Sequence, residues 1–188
     1  MKTGKHDLRV KLTEAMLTDA FLELRREKPL GKITVRELCE RAGIGRGTFY
    51  AHYCDVYDLN DKLESELFGQ FSAALNGALK SNNIRSTLDA CRTVFSLLSE
   101  NKTLCKLILF DRDMGAAKRF IEYGEQLCLG IYRRADVPEE KIRRFYRFVS
   151  TGCIACVQAW LSDPGHIGVE EFSEEMSKLI SSGANYLS

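Results

Sequence analysis

The sequence predicts an all-α protein of about nine helices, with an N-terminal three-helix helix-turn-helix head followed by a C-terminal helical bundle. Three observations carry this. Apolar residues recur at helical spacing along nearly the whole chain, while the alternation expected of strands is almost absent. The three prolines, at positions 29, 138 and 164, fall between those runs. Residues 34–53 read as two short helices joined by a glycine turn.

The first helix is expected over 7–27, with Leu17, Ala20, Phe21 and Leu24 on its apolar face and Lys28-Pro29 closing it. Pro29-Leu30-Gly31 is the connector. Thr34 and Glu37 have capping-box spacing: the hydroxyl takes the Glu37 N–H and the carboxylate reaches back to the Thr34 N–H. Val35, Leu38, Cys39 and Ala42 then make one buried stripe, while Arg36, Glu37, Glu40 and Arg41 face outward. Gly43 suits the left-handed position that ends a helix, and Ile44 plugs the angle before a third helix over 46–53. That helix exposes Arg46, Thr48, Tyr50 and His52, and turns Phe49 and Tyr53 inward. Asp55 is the expected N-cap of a long fourth helix reaching about Leu79, with Leu59, Leu63, Leu67, Phe68 and Phe71 inward.

Ser81-Asn82-Asn83 breaks the pattern. Five more helices are expected at 84–99, 102–111, 114–134, 139–162 and 169–187. Pro138 stands at a first helical turn with Glu139 and Glu140 at the positive helix end, and Asp163-Pro164-Gly165 separates the last two helices. The domain reading is a helix-turn-helix head at 1–55, a linking helix at 56–81, and a regulatory and dimerisation body at 82–188.

With 45% hydrophobic and 28% charged residues, the composition is that of an ordinary globular protein. No apolar run approaches a membrane span and the N-terminus is too polar for a signal peptide, so a cytoplasmic protein is expected. The net charge of +1 is unevenly spread, for residues 1–53 hold eleven Lys/Arg against seven Asp/Glu. Lys2, Lys5, Arg9 and Lys11 form a basic arm suited to phosphate contacts. The seven cysteines lie mostly in apolar helical stripes and read as small core residues. Glycine-rich phosphate loops, paired catalytic carboxylates and nucleophile–base sets are absent, and histidines occur only at 6, 52 and 166. No enzyme, cofactor or metal is expected. Two thiol readings stand as alternatives, a redox pair at Cys153 and Cys156 and a switch at Cys54.

The segment Ala42-Gly43-Ile44-Gly45-Arg46-Gly47-Thr48-Phe49-Tyr50-Ala51-His52-Tyr53 resembles the DNA-binding signature of the TetR/AcrR (tetracycline-repressor-like) family of bacterial transcriptional regulators. The resemblance extends back through Ala20-Phe21-Leu22-Glu23-Leu24 and forward through Asp58-Leu59. Phe148-Val149-Ser150-Thr151-Gly152, followed by Trp160-Leu161, resembles a C-terminal subgroup of that family. Double-stranded DNA is then the expected partner. Arg36 and Arg46 are the candidates for base edges, because a guanidinium fork matches guanine O6 and N7. Thr48 and Ala51 extend that readout, and Thr34 borders it. The resemblance implies that Tyr50 and His52 touch backbone oxygens and that Gly47 lets the helix approach closely. Many family members carry a lysine at the start of helix four; this chain has Val56 and then Tyr57, whose hydroxyl is the expected substitute.

A short recognition helix reads few base pairs, which predicts a homodimer presenting two heads. Phe148, Gly152, Ala155 and Ala159, with Phe172, Met176, Leu179 and Ile180, are the expected seam, although the same stripe could form a core within one chain. Phe95, Leu98, Phe110, Phe120, Tyr123 and Leu127 are the expected lining of a small-molecule effector pocket. The expected function is a repressor whose palindromic operator is released by that effector. The alternative is a regulator or co-activator working through a protein partner, with a body that binds no small molecule.

Overall fold

The computed structural model describes residues 3–80, 87–110, 115–132, 137–163 and 167–187. Among them the regular structure is helical throughout, without strands, and no helix is long and apolar enough to cross a membrane. The chain divides into two compact units, Met1–Glu66 and Leu67–Ser188.

The first unit holds α1 (Thr3–Glu27), a 3-10 turn (Leu30–Lys32), α2 (Val35–Ala42), α3 (Arg46–Tyr50) and the opening turns of α4 (Val56–Lys80). Its core is the predicted one. Leu17, Phe21, Leu24, Leu38, Phe49 and Leu59 are fully buried, and Tyr53 and Val56 pack among them. Thr34 caps α2 by accepting the Glu37 N–H at 3.2 Å. The return half of the capping box is replaced, because the Glu37 carboxylate accepts a hydrogen bond from Lys28 Nζ at 2.5 Å. An ammonium delivered by the end of α1 competes well for a carboxylate that a backbone N–H would otherwise hold.

Gly43 has φ 66° and ψ 29°, the left-handed conformation that costs glycine least. Its N–H donates to Glu40 O at 3.4 Å and the Ile44 N–H to Cys39 O at 3.0 Å, which closes α2. Nothing crowds the position a Cβ would take there, so Gly43→Ala tests backbone strain alone. It is expected to destabilise by about 1 kcal/mol and to lower Tm by about 2–4 °C in a thermal melt.

Helix α3 ends at Tyr50, three residues earlier than expected. The N–H groups of His52 and Tyr53 both donate to Phe49 O at 2.9 Å, a turn that breaks the helical ladder while keeping Tyr53 in the core. Asp55 caps α4 as predicted, its Oδ1 accepting the N–H groups of Tyr57 and Asp58 at 2.8 Å. Asp58 answers by accepting the Cys54 N–H at 2.8 Å.

The second unit contains the rest of α4 with α5 (Thr87–Glu100), α6 (Lys102–Leu109), α7 (Gly115–Tyr132), α8 (Glu139–Ser162), α9 (Val169–Ala184) and a 3-10 turn (Asn185–Leu187). The predicted break at 81–83 lies outside the described residues. Helix α9 lies along α5, where Phe172 packs on Phe95 at 4.9 Å and Trp160 of α8 stacks on Phe172 at 4.7 Å. Arg92 pairs with Glu170 at the edge of that contact. Helices α7 and α8 meet where the Tyr146 hydroxyl, crossing over Gly124, donates to Ile121 O at 2.8 Å. A side chain larger than hydrogen at Gly124 would collide with that phenol.

Candidate nucleic-acid interface

The surface of α3 follows from what lies beneath it. Phe49 is fully buried, Tyr53 nearly so, and their anchoring leaves Arg46, Gly47, Thr48, Tyr50 and Ala51 exposed together. The Tyr50 ring stands edge-on to Phe49 at 5.4 Å, so it projects from a fixed base while remaining 58% exposed. Arg46 has no carboxylate partner among the described residues, and nothing lies within 4 Å of a Cβ placed on Gly47. The result is a bare, donor-rich ridge.

Helix α2 borders this ridge. The Arg36 side chain is 73% exposed and donates through Nε to Glu40 Oε1 at 2.8 Å, which raises its already high pKa. That single bond leaves the terminal nitrogens of the fork unengaged by Glu40. Thr34 is exposed; its oxygen is committed to the cap but its own proton can be donated outward. Tyr57 is half exposed, with its hydroxyl lying against Gly31. Arg41 belongs to a different contact, forking onto Glu27 of α1 at 2.9 and 3.3 Å.

His52 stands apart from the other predicted contacts. Its side chain is only 15% exposed, and Nδ1 lies 3.7 Å from Glu14 Oε1, which also accepts Lys62 Nζ at 3.0 Å. Glu14 therefore links α1, the turn that follows α3, and α4. No local sequence pattern announces it, because its partners lie 38 and 48 positions away in the chain.

In the second unit a cavity of about 400 Å³ opens among α4 to α9. Phe95, Leu98, Phe120 and Leu127 line it as expected. Phe110 does not, being half exposed at the end of α6, where the short helix stops before turning its ring inward. Tyr123 is also off the wall: its hydroxyl accepts Asn76 Nδ2 at 2.6 Å.

The expected dimer stripe is divided between two roles. Phe172 and Met176 are buried against α5 within one chain, and Ile180 lines the cavity. These three are corrected to the interior, because α9 must cover α5. Phe148 and Leu179 remain 78% and 63% exposed, and Gly152, Ala155 and Ala159 lie exposed on α8. These small and large apolar groups are left exposed among the described residues of the single chain.

All seven cysteines are free thiols. Burial pushes Cys153 up to about 11, so at neutral pH it is a protonated thiol and a poor nucleophile, which argues against a redox pair with Cys156. Among the described residues no group of three or more His, Cys, Asp or Glu is placed to hold a metal ion.

Residues 86–182 match the family model TetR_C_8, described as the C-terminal region of a transcriptional regulator. The chain is 25% identical over 179 residues to the HTH-type transcriptional regulator YxbF of Bacillus subtilis (strain 168). That match covers 89% of this chain and 44% of YxbF, so the chain spans less than half the length of this relative. Two solved structures share the fold. NalD of Pseudomonas aeruginosa, the secondary repressor of the MexAB-OprM multidrug efflux pump, has a TM-score of 0.70 at 21% identity, covering 93% of this chain and 97% of that one. The transcriptional regulator FadR of Bacillus subtilis, in complex with stearoyl-CoA, has a TM-score of 0.68 at 17% identity, covering 90% and 98%.

Proposed function

The chain belongs to the TetR family of transcriptional regulators, and from that premise we propose that it is a repressor whose homodimer reads a palindromic operator in the major groove. The observation that carries the reading is the ridge of α3, where a buried Phe49 presents Arg46, Thr48, Tyr50 and Ala51 to solvent. Arg46 and Arg36 read base edges, Ala51 meets a thymine methyl beside Thr48, and Tyr50, Tyr57 and Thr34 hold phosphates. Gly47 lets the backbone approach. His52 serves phosphate only in concert with Glu14, which already engages its other face.

In this reading residues 1–55 are the reading head, 56–81 the link, and 82–188 the regulatory and dimerising body. The exposed groups Phe148, Gly152, Ala155, Ala159 and Leu179 pair with their copies in a second chain. The body's cavity takes a small-molecule effector. Helix α4 connects the two functions, since Val56 and Leu59 sit in the core of the first unit while Leu67, Phe71 and Leu75 line the cavity. An effector acts by favouring one position of that helix, and hence one separation of the paired heads, over the other. The site of action is the cytoplasm, where bacterial operators are.

Selection from random duplexes tests the proposal. It should return an inverted repeat whose half-sites are centred about one helical turn apart, roughly 34–36 Å, or a multiple of that. Recovery of single, unpaired half-sites would count against two-headed reading. Binding to the selected duplex should also weaken about a thousandfold or more between roughly 50 and 200 mM salt, read by gel shift; a flat salt dependence would show that phosphates are not being neutralised.

A further inference from the structure

The cavity of the second unit is defined by what its wall lacks. Among the described residues that line it, no side chain is Asp, Glu, Lys, Arg or His. The polar groups present are four thiols, two phenols and one hydroxyl, from Cys91, Cys105, Cys128, Cys153, Tyr132, Tyr146 and Ser150. Most are already committed or neutral. Tyr146 donates to Ile121 O at 2.8 Å, and Ser150 donates to Arg147 O at 3.3 Å in its own helix.

The thiols carry no charge. Burial pushes Cys91 and Cys105 up to about 12 and Cys128 and Cys153 up to about 11, so all four stay protonated at neutral pH. In that form they are soft, polarisable wall rather than nucleophiles. Tyr132, half-buried and edge-on to Phe145 at 6.3 Å, offers the remaining phenol as a neutral partner.

A buried ion needs a counter-charge or an array of hydrogen bonds, and the described residues of this wall supply neither from their side chains. Resting on the reading of the cavity as the effector site, we propose that it takes an uncharged, predominantly hydrocarbon molecule carrying at most a small neutral polar group, which the Tyr132 hydroxyl meets. The size fits, since about 400 Å³ lies within the usual range for small-molecule sites.

Three probes with the same chain and different heads test the selection on the full chain: 1-decanol, decanoate and decyltrimethylammonium. Each is titrated at neutral pH against bound N-phenyl-1-naphthylamine, followed by its fluorescence. Decanol is expected to displace the dye about tenfold more effectively than either ion. Tyr132→Phe should weaken decanol about threefold or more, after correction for the dye's own affinity measured on the same variant. Equal or tighter binding of decanoate or of the ammonium overturns the proposal, as does failure of all three to compete. The decanol ranking with the operator still bound leaves the ligand class standing and defeats the regulatory reading. Operator release by a more tightly bound ion does the reverse.

Discussion

Replacing Arg46 by alanine is expected to remove most sequence-selective operator binding while leaving the protein folded. Each lost guanidinium–guanine fork removes about 1–3 kcal/mol of discrimination. In the proposed dimer two heads act on one operator, so the loss would be about 2–6 kcal/mol, which is about 30-fold at the lower end and about 10⁴-fold at the upper. Stability should barely change, because Arg46 is exposed and pairs with no carboxylate among the described residues. A gel shift against the selected operator, with a thermal melt as control, reads both. Arg46→Lys separates charge from geometry, since it restores non-selective affinity and salt dependence without the planar fork. Undiminished selectivity in Arg46→Ala would remove that side chain from the readout.

Charge placed on the exposed apolar groups of the body should split the proposed dimer. Phe148 and Leu179 are the large apolar groups exposed on α8 and α9, so Phe148→Glu combined with Leu179→Glu would desolvate four carboxylates across a two-fold seam. Sedimentation is expected to show a monomer. Operator affinity should fall about 10²- to 10⁴-fold, because each head then binds without the effective concentration supplied by its partner. Both side chains face solvent in the single chain, so circular dichroism should retain its helical signal. An intact dimer in the double variant would place the interface elsewhere.

These two results probe regions that differed in how much of them could be read in advance. The head was legible almost residue by residue, because its signals are local. Capping at Thr34, the left-handed turn at Gly43 and the inward pair Phe49 and Tyr53 each depend on residues within a few positions of one another. Two details there come from distant elements that local spacing does not reveal: Lys28 takes the Glu37 carboxylate, and Glu14 stands beside His52.

The body was legible as helices and only in part as a cavity wall. Periodicity along α9 marks Phe172, Met176, Leu179 and Ile180 as one apolar stripe, yet a stripe does not state what covers it. Helix α5 covers Phe172 and Met176, the cavity receives Ile180, and Leu179 is left outside. Cys105 reads simply as a small core residue, and only the convergence of Cys91, Cys105, Cys128 and Cys153 on one space makes them wall. Tyr123 and Phe110 have the right chemistry for a pocket, but a hydrogen bond to Asn76 and the early end of α6 keep them off it.

By itself the sequence determined the all-helical class, the helix-turn-helix and the outward face of its recognition segment, because helix propensity, caps and turns are settled between near neighbours in the chain. The tertiary structure alone decided which apolar faces become core, cavity or uncovered surface, and which carboxylate meets which cation. Those choices depend on helices brought together from far apart, where burial and charge pairing are shared among elements that no local spacing connects.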